Sequence, residues 1–503
     1  MLRRYTFVLL FLIILIAPFL LRLAMGTASS TGTSGDLHLI IMSPHLEPIR
    51  REFADAFSDW HRKTFGTSVF VDYRSFGASD IVKYFDASKD TIFAQQHTYK
   101  VDIVWGGGDY LFDQQLKKPG YLQGVQLNPA LMKAAFPKPD LNGVALFDTK
   151  SNPPQWFGAA LSSFGIAYNR DVDRYLGLPD PTTWADLKNP KYVTWIAAAD
   201  PTRSASAKQA FMTIVEKAMA DASAHGQSED IGWAHGMGLI RQISANARMF
   251  SDSSGTIPGQ ISSGDAGAGM TIDFYGRSQS ESVGTDRMGY IEPAGATIIN
   301  PDPIALANGA EHHDLAVQFI EFVLSQQGQL LWNTRAGLHR GPKLTSLRRL
   351  PIRPDAYADM THFTDQVNPF QSAGRFNKSN AREKTFPILG ELIQASCINL
   401  LDDLRNTRQL ILRSPRAAEL DAKLGTFPFD QKEALTRMAA YNRASGIDRV
   451  TMLRQWTDQF RAEYKHLREE ATKPPDAGSE ARPEPVEWVP RRPGSELAQT
   501  THN

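Results

Sequence analysis

One cysteine, Cys397, stands in 503 residues. That excludes a disulfide framework within the chain and any cysteine-rich zinc site. The thiol falls in the apolar helix-like run ILGELIQASCINLL, where a buried, inert role is expected. Net charge is lacking too: 54 lysines and arginines balance 54 aspartates and glutamates. That balance leaves no whole-molecule argument for nucleic acid as a partner. HExxH, GxSxG and GxxxxGKS/T are all missing, so no metalloprotease, nucleophile-elbow or phosphate-loop signature is present. No nucleophile has a base near it in the chain, and no catalytic residue is assigned. The glycines of Gly264 to Gly269 precede a strand pattern instead of following one, which marks a helix-to-strand turn, not a dinucleotide loop. His312-His313-Asp314 opens a helix pattern, so capping and surface roles are expected there.

What is present begins with an apolar run, Phe7 to Leu21, preceded by Arg3 and Arg4. The flanking charge places the N-terminus in the cytoplasm and the body across the membrane. The run is short for a spanning helix and long for a signal-peptide core. Residues 1–35 are therefore read as a signal peptide or an N-terminal membrane anchor with tether, with small residues for cleavage around Gly26. No cysteine follows the run, so a lipoprotein anchor is excluded.

From Asp36 the chain alternates strand and helix patterns. DLHLIIMS (36–43) and SVFVDY (68–73) read as strands, as does VDIVW (101–105). Between the first two, Ile49, Phe53, Phe57 and Trp60 share one face of a helix. WFGAALSSFGIAYN (156–169) reads as extended, WIAAA (195–199) as a buried strand followed by a helix over 208–217, and AGAGMTIDFY (266–275) as a strand. Helices are expected over 232–246, 315–331, 388–412 and 450–469. The pattern argues for an α/β fold with parallel sheets, whose ligands sit beyond the carboxyl ends of the strands.

Small, donor-rich loops recur at or within those strands. They contribute Ser43 and His45, Ser75 and Gly77, Gly107, Ser162 and Ser163. Further along come Thr202, Arg203, Ser204 and Ser206, then Ser253 and Ser254, then Asp273 and Tyr275. The Thr202–Ser206 loop is a candidate anion cradle at a helix N-terminus, and Thr202 or Ser204 there also reads as a plain helix cap. Singly each loop has a turn or cap explanation. Together they suggest one cleft that solvates a small polar ligand. Arg203 is the positive charge expected in its wall.

The segments VDIVWGGG, SSFGIAYNRD, TTWADLKNPKYVTWIAAADPTRSAS and PAGATIINPDPIALANGAEHHDLAVQFIEFVLSQQGQLLW give the chain a marked resemblance. It resembles periplasmic solute-binding proteins of ABC importers, in the branch of ferric-iron, phosphonate and sugar-phosphate receptors. The resemblance covers roughly 36 to 354. It implies a type II periplasmic-binding-protein fold of two α/β lobes with a ligand cleft at the hinge. The first lobe would hold 36–155 and 280–345, and the second 156–279, with hinge crossings near 158–167 and 271–276. A C-terminal helical region over 346–472, packed on the first lobe, and a disordered tail over 473–503 would complete the chain. The implied partners are an ABC permease in the cytoplasmic membrane and a small polar solute, with the protein a monomer in the periplasm.

The ligand stays open between two readings. In the ferric branch a histidine, a carboxylate and two adjacent tyrosines hold iron. Here His45 and Tyr275 match, while Phe274 and Gly107 stand at the other positions. A phosphate ester, phosphonate or carboxylate ranks first and ferric iron second, with no other cofactor implied. Two further classes remain open: an envelope-anchored sensor or scaffold, and a small-ester hydrolase.

Overall fold

The computed structural model describes residues 37–372 and 381–473. The expected leader or anchor at 1–35 lies outside the described residues, as does the expected tail from 474 onward. Among the described residues, no helix is long and apolar enough to cross a membrane.

Strand β1 (Leu37–Ser43) leads to helix α1 (Glu47–Phe65), then β2 (Val69–Ser75), helix α2 (Ala78–Ser88) and β3 (Ile103–Trp105). Leu39, Ile41 and Met42 are fully buried, so β1 is covered on both faces, as its continuous apolar run requires. Ile49, Phe53 and Phe57 are the buried stripe of α1. The helix stops where Gly66 takes φ 81° and donates its N–H to Arg62 O at 3.0 Å. A small antiparallel pair follows, β4 (Asp140–Leu141) with β5 (Val144–Ala145). Next come β6 (Phe157–Ser162) and β7 (Phe164–Asn169), then β8 (Ile196–Ala199), helix α3 (Ala205–Ala224), helix α4 (Glu229–Ser244) and β9 (Ala247–Ser251). The series continues with β10 (Ala268–Ile272), helix α5 (Asp273–Val283), β11 (Met288–Ile291), β12 (Asn300–Leu306), helix α6 (His313–Leu324) and β13 (Leu350–Pro351).

The strands form two mixed sheets. One has the order β13-β6-β12-β3-β1-β2 and the other β11-β7-β10-β8-β9. Each is the core of an α/β lobe. Ser163 alone separates β6 in the first sheet from β7 in the second, so the chain first passes between the sheets there.

The second crossing differs from expectation. Residues 271–276 do not cross: Thr271 and Ile272 end β10, and Asp273 begins α5. The apolar run suggested a longer strand, but the Asp273 carboxylate accepts the Phe274 N–H at 2.8 Å and Arg277 stands one turn on, which starts a helix. The chain returns to the first sheet between β11, which pairs with β7, and β12, which pairs with β3 and β6. Residues 280–291 therefore belong with the second sheet, and β6 with the first. After α6 the chain also adds β13 beside β6 before any helical region begins, so the helical boundary at 346 falls too early.

The C-terminal helices are α7 (Ala381–Ile393), α8 (Leu401–Arg413), α9 (Ala417–Leu424), α10 (Gln431–Arg443) and α11 (Gly446–Thr472). They pack chiefly on α3 and α4 of the second lobe, where the resemblance implied the first, and touch the first lobe where the Phe386 ring centre lies 4.6 Å from that of Tyr110. Arg408 Nη1 donates to Gln242 O at 2.8 Å, Gln242 Nε2 donates to Asp421 Oδ2 at 2.9 Å, and Arg241 Nη2 pairs with Glu463 at 2.8 Å. Trp233, Phe427 and Phe460 are buried together, with ring centroids 5.4 and 5.2 Å apart in sequence. Such aromatic pairs contribute roughly 0.5–1.5 kcal/mol each beyond area burial. Gly238 allows the approach, because a Cβ there would stand 1.9 Å from the Gly425 carbonyl oxygen. Cys397 is a buried free thiol within this unit, as its sequence context suggested.

Candidate ligand-binding cleft

The carboxyl ends of β1, β2 and β3 face the start of α3 and the loop after β9 across a cleft of about 670 Å³. Its first-lobe wall is built from His45, Gly77 with the start of α2, and Gly107 with Gly108. Glycine is required at two adjacent positions here. Gly106 and Gly107 take φ of 95° and 109°, and a Cβ at Gly106 would stand 2.8 Å from His45 Nε2.

Asp302, on β12, organises the floor. Its Oδ1 accepts the N–H of Gly107 at 2.9 Å and of Gly108 at 3.3 Å. Its Oδ2 lies 2.7 Å from His45 Nε2 and 2.5 Å from Arg349 Nη1. Arg349 Nη2 donates to Ser162 Oγ at 2.7 Å, and the guanidinium lies 4.7 Å from the Phe274 ring centre. Arg349 Nε is buried and has no hydrogen-bond partner among the described residues. Burial opposes ionisation of Asp302, yet Arg349 and His45 beside it hold the carboxyl far below the usual carboxylate range. His45 moves the other way: burial lowers its pKa, and the attraction of Asp302 offsets this only in part. The floor therefore carries an ionised Asp302–Arg349 pair beside a largely neutral imidazole.

The second-lobe wall comes from the stretch that the sequence marked as an anion cradle or a cap. It is a cap: Ser204 Oγ accepts the Ala207 N–H at 3.3 Å and donates to Ser254 Oγ at 3.0 Å across the cleft wall. Asp200 Oδ1 accepts from Thr202 N–H at 2.8 Å and Thr202 Oγ1 at 2.7 Å, which fixes the loop. The same loop lines the cleft through Thr202, Arg203, Ser204 and Ser206, so capping and lining coexist. Lys208, one turn on, also lines it. Burial lowers the Lys208 pKa, and the charges of Glu391 and Asp200 act against that.

Of the residues expected at the site, His45, Gly77, Gly107, Ser162, Tyr275, Ser253 and Ser254 line this cleft together with those four loop residues. Burial pushes the Tyr275 phenol up to about 12, so it stays a neutral hydrogen-bonding group. Ser43, Ser75, Ser163 and Asp273 sit behind or beside the lining. Ser43 is fully buried and its Oγ accepts the His45 N–H at 3.1 Å. Ser75 ends β2 in register with Ser43 on the exposed side. Ser163 Oγ donates to Asp273 Oδ2 at 3.4 Å, and both residues are fully buried. Burial pushes Asp273 up to about 6, with Arg277 acting against it and Glu292 with it.

Arg203 stands at the exposed edge of the wall its sequence context implied. Its side chain is 61% exposed and pairs with Asp252 at 2.5 Å, so it is a rim group. Deeper in the lining stand the buried Arg349 and the half-buried Lys208. Sequence reasoning missed both, as well as Asp302 and Phe386. The one signal for Arg349 was a charged pair inside the apolar run Leu347 to Ile352.

The ferric arrangement has a partial echo. Asp302 brings a carboxylate against Gly107, where the resemblance lacked one, and His45 and Tyr275 share the cleft with it. The Arg349 guanidinium occupies the inner side of that carboxylate, however, and its charge opposes a trivalent cation there. Among the described residues, no group of three or more His, Cys, Asp or Glu side chains gathers as a metal site.

Residues 100–341 match the family described as bacterial extracellular solute-binding protein. A curated relative, the phosphoglycerate transport regulatory protein PgtC of Salmonella typhimurium, is 26% identical over 172 residues, 34% of this chain. The match spans only 38% of that relative's length. The fold is similar to that of the periplasmic binding protein P5PA, with TM-score 0.51, 16% identity, and coverage of 71% of this chain and 95% of the other. It is also similar to the periplasmic binding protein AfuA from Actinobacillus pleuropneumoniae, solved with exogenous fructose-6-phosphate bound. There the TM-score is 0.51, the identity 17%, and the coverage 73% and 96%. These likenesses establish the two-lobed periplasmic-binding-protein fold.

Proposed function

We propose that this chain, whose residues 100–341 match the bacterial extracellular solute-binding protein family, captures a small anionic solute and presents it to the permease of an ABC importer. The solute class is a phosphate ester, phosphonate or carboxylate. The observation that carries the reading is the convergence on one cleft of a buried guanidinium, Arg349, a half-buried lysine, Lys208, and the N-terminus of α3 with its hydroxyls. Free N–H groups, a positive helix end and a low-dielectric floor all favour a negative charge there. The name of the PgtC relative and the fructose-6-phosphate in the AfuA structure support a phosphate ester within that class.

A cleft between two sheets joined by strand crossings at Ser163 and 292–299 suits hinged closure on the ligand. The closed form would then be what the permease recognises, outside the cytoplasmic membrane. Among the described residues the site offers donors and no positioned nucleophile–base pair, and the solute would be bound and released unchanged. Native mass spectrometry of the full chain as purified tests this. A retained mass matching an anionic metabolite, removed by dialysis at high salt, is expected. Retained iron, or hydrolysis of an added phosphate ester, would overturn the reading.

A second reading has two observations behind it. The PgtC relative is named a regulatory protein, and the helices beyond α6 form a sizeable surface on the second lobe. The same captured anion would then be reported to a membrane sensor partner. Co-purification of the full chain with a permease or with a sensor distinguishes the two.

A further inference from the structure

We propose that the C-terminal extension supplies a wall of the ligand cleft, and that Phe386 on α7 selects the solute by length while bridging the two lobes. This rests on the cleft being the solute site. Phe386 lies beyond the residues that match the solute-binding family, and it lines the cleft.

The geometry is specific. Phe386 is 5% exposed. Its ring centre lies 4.6 Å from that of Tyr110, which follows the glycine loop of the first lobe. On its other side, Lys208 Nζ of the second lobe stands 5.4 Å from the same ring centre. Lys208 Nζ also reaches Pro387 O at 3.5 Å. Helix α7 comes this close because residue 390 is glycine: a Cβ there would stand 3.0 Å from Lys208 Cε and 3.3 Å from Thr202 Cγ2. Thr385 anchors the preceding turn against Met212 of α3.

Three consequences follow from those contacts. The ring caps one end of the cleft, so its edge sets the reach of any solute whose anionic group lies at Arg349. It shields Lys208 from water and holds the ammonium over an aromatic face, which strengthens a charge–anion contact made there. Because one ring touches both Tyr110 and Lys208, opening of the lobes must break at least one of these contacts. Ligand release is thereby tied to the position of the extension.

The test uses the full chain, Phe386→Ala, and Phe386→Leu, which keeps an apolar plug but removes the ring. The first arm needs no ligand. The rate at which Lys208 is acetylated by a water-soluble reagent is read by peptide mass spectrometry. Faster labelling in both variants, with unrelated surface lysines unchanged, is expected; an unchanged Lys208 rate would overturn the placement of Phe386 over the wall. The second arm titrates 3-phosphoglycerate and fructose 6-phosphate as short and long probes. Phe386→Ala should shift the preference toward the longer ester by about ten-fold or more, the scale at which pocket volume discriminates. Phe386→Leu should give a smaller shift in the same direction. Equal loss of both affinities with no change in preference would overturn the selecting role. If the wild type binds neither ester, the phosphate-ester choice within the anionic class fails by itself, and the labelling arm still decides whether the extension forms this wall.

Discussion

Arg349 Nη1 and Asp302 Oδ2 stand 2.5 Å apart in the cleft floor, joined across 47 residues of sequence. Each is the condition for the other's burial. Asp302 orders the glycine loop through two N–H groups, and Arg349 ties β13 to Ser162 at the hinge.

Breaking that pair from one side leaves a buried charge. Arg349→Met should lower stability by about 3–5 kcal/mol, the scale for an orphaned buried ion. The double variant Arg349→Met with Asp302→Asn should recover most of that loss in a denaturant melt but stay unable to hold an anion. Recovery of binding in the double variant would remove Arg349 from the site.

Arg203→Ala should change affinity by no more than a few-fold. An exposed ion pair contributes about 0–1 kcal/mol, and Arg203 is already paired with Asp252 at the rim. Calorimetric titration checks this. A hundred-fold loss would mean that lobe closure carries the Arg203 side chain inward.

Asp273 gives a pH signature with a definite sign. Its folded-state pKa is raised to about 6 by burial, from 3.8. The folded protein therefore holds this proton more tightly than the unfolded chain. The cost of ionising Asp273 appears as pH rises from about 4 to about 6 and is fully present above that window. Asp273→Asn should be more stable than wild type by about 2–3 kcal/mol at pH 7, and equal to it near pH 3.5. Asparagine keeps the acceptor for the Phe274 N–H. Thermal melts across pH 3.5–8 read the difference, and a pH-independent gap contradicts the account.

The scaffold itself was the legible part. β1 and β2 announce themselves as apolar runs, and α1 by the spacing of Ile49, Phe53 and Phe57. The donor-rich loops at strand ends were visible because ends of parallel strands carry small polar residues locally. The floor was hidden for the opposite reason. Asp302 sits in an apolar strand and Arg349 in an apolar run, and only tertiary pairing shows that each satisfies the other. Arg203 and Arg349 look alike in sequence; what separates them is Asp252 at the surface and Asp302 in the core. The start of α5 was misplaced because IDFY continues an apolar run. A buried Asp273 bonded to its own next N–H is a three-dimensional circumstance.

The docking of the extension rests on close backbone approach. Gly238→Ala forces a Cβ to within 1.9 Å of Gly425 O, so α4 and the α9 end must separate. A loss of about 1–3 kcal/mol is expected from overpacking of this kind. Calorimetry should show it as a lowered or split transition, and an unchanged melt would mean that the extension is not held there.

The most direct measurement is isothermal titration of the full chain, wild type and Arg349→Met, with 3-phosphoglycerate, followed by chromatography of the recovered ligand. Saturable binding of one equivalent to the wild type is expected, with a loss of about a hundred-fold or more in the variant, as for a charge-assisted contact, and intact ligand afterwards. Equal binding by both proteins, or ligand recovered as hydrolysis product, would contradict the account.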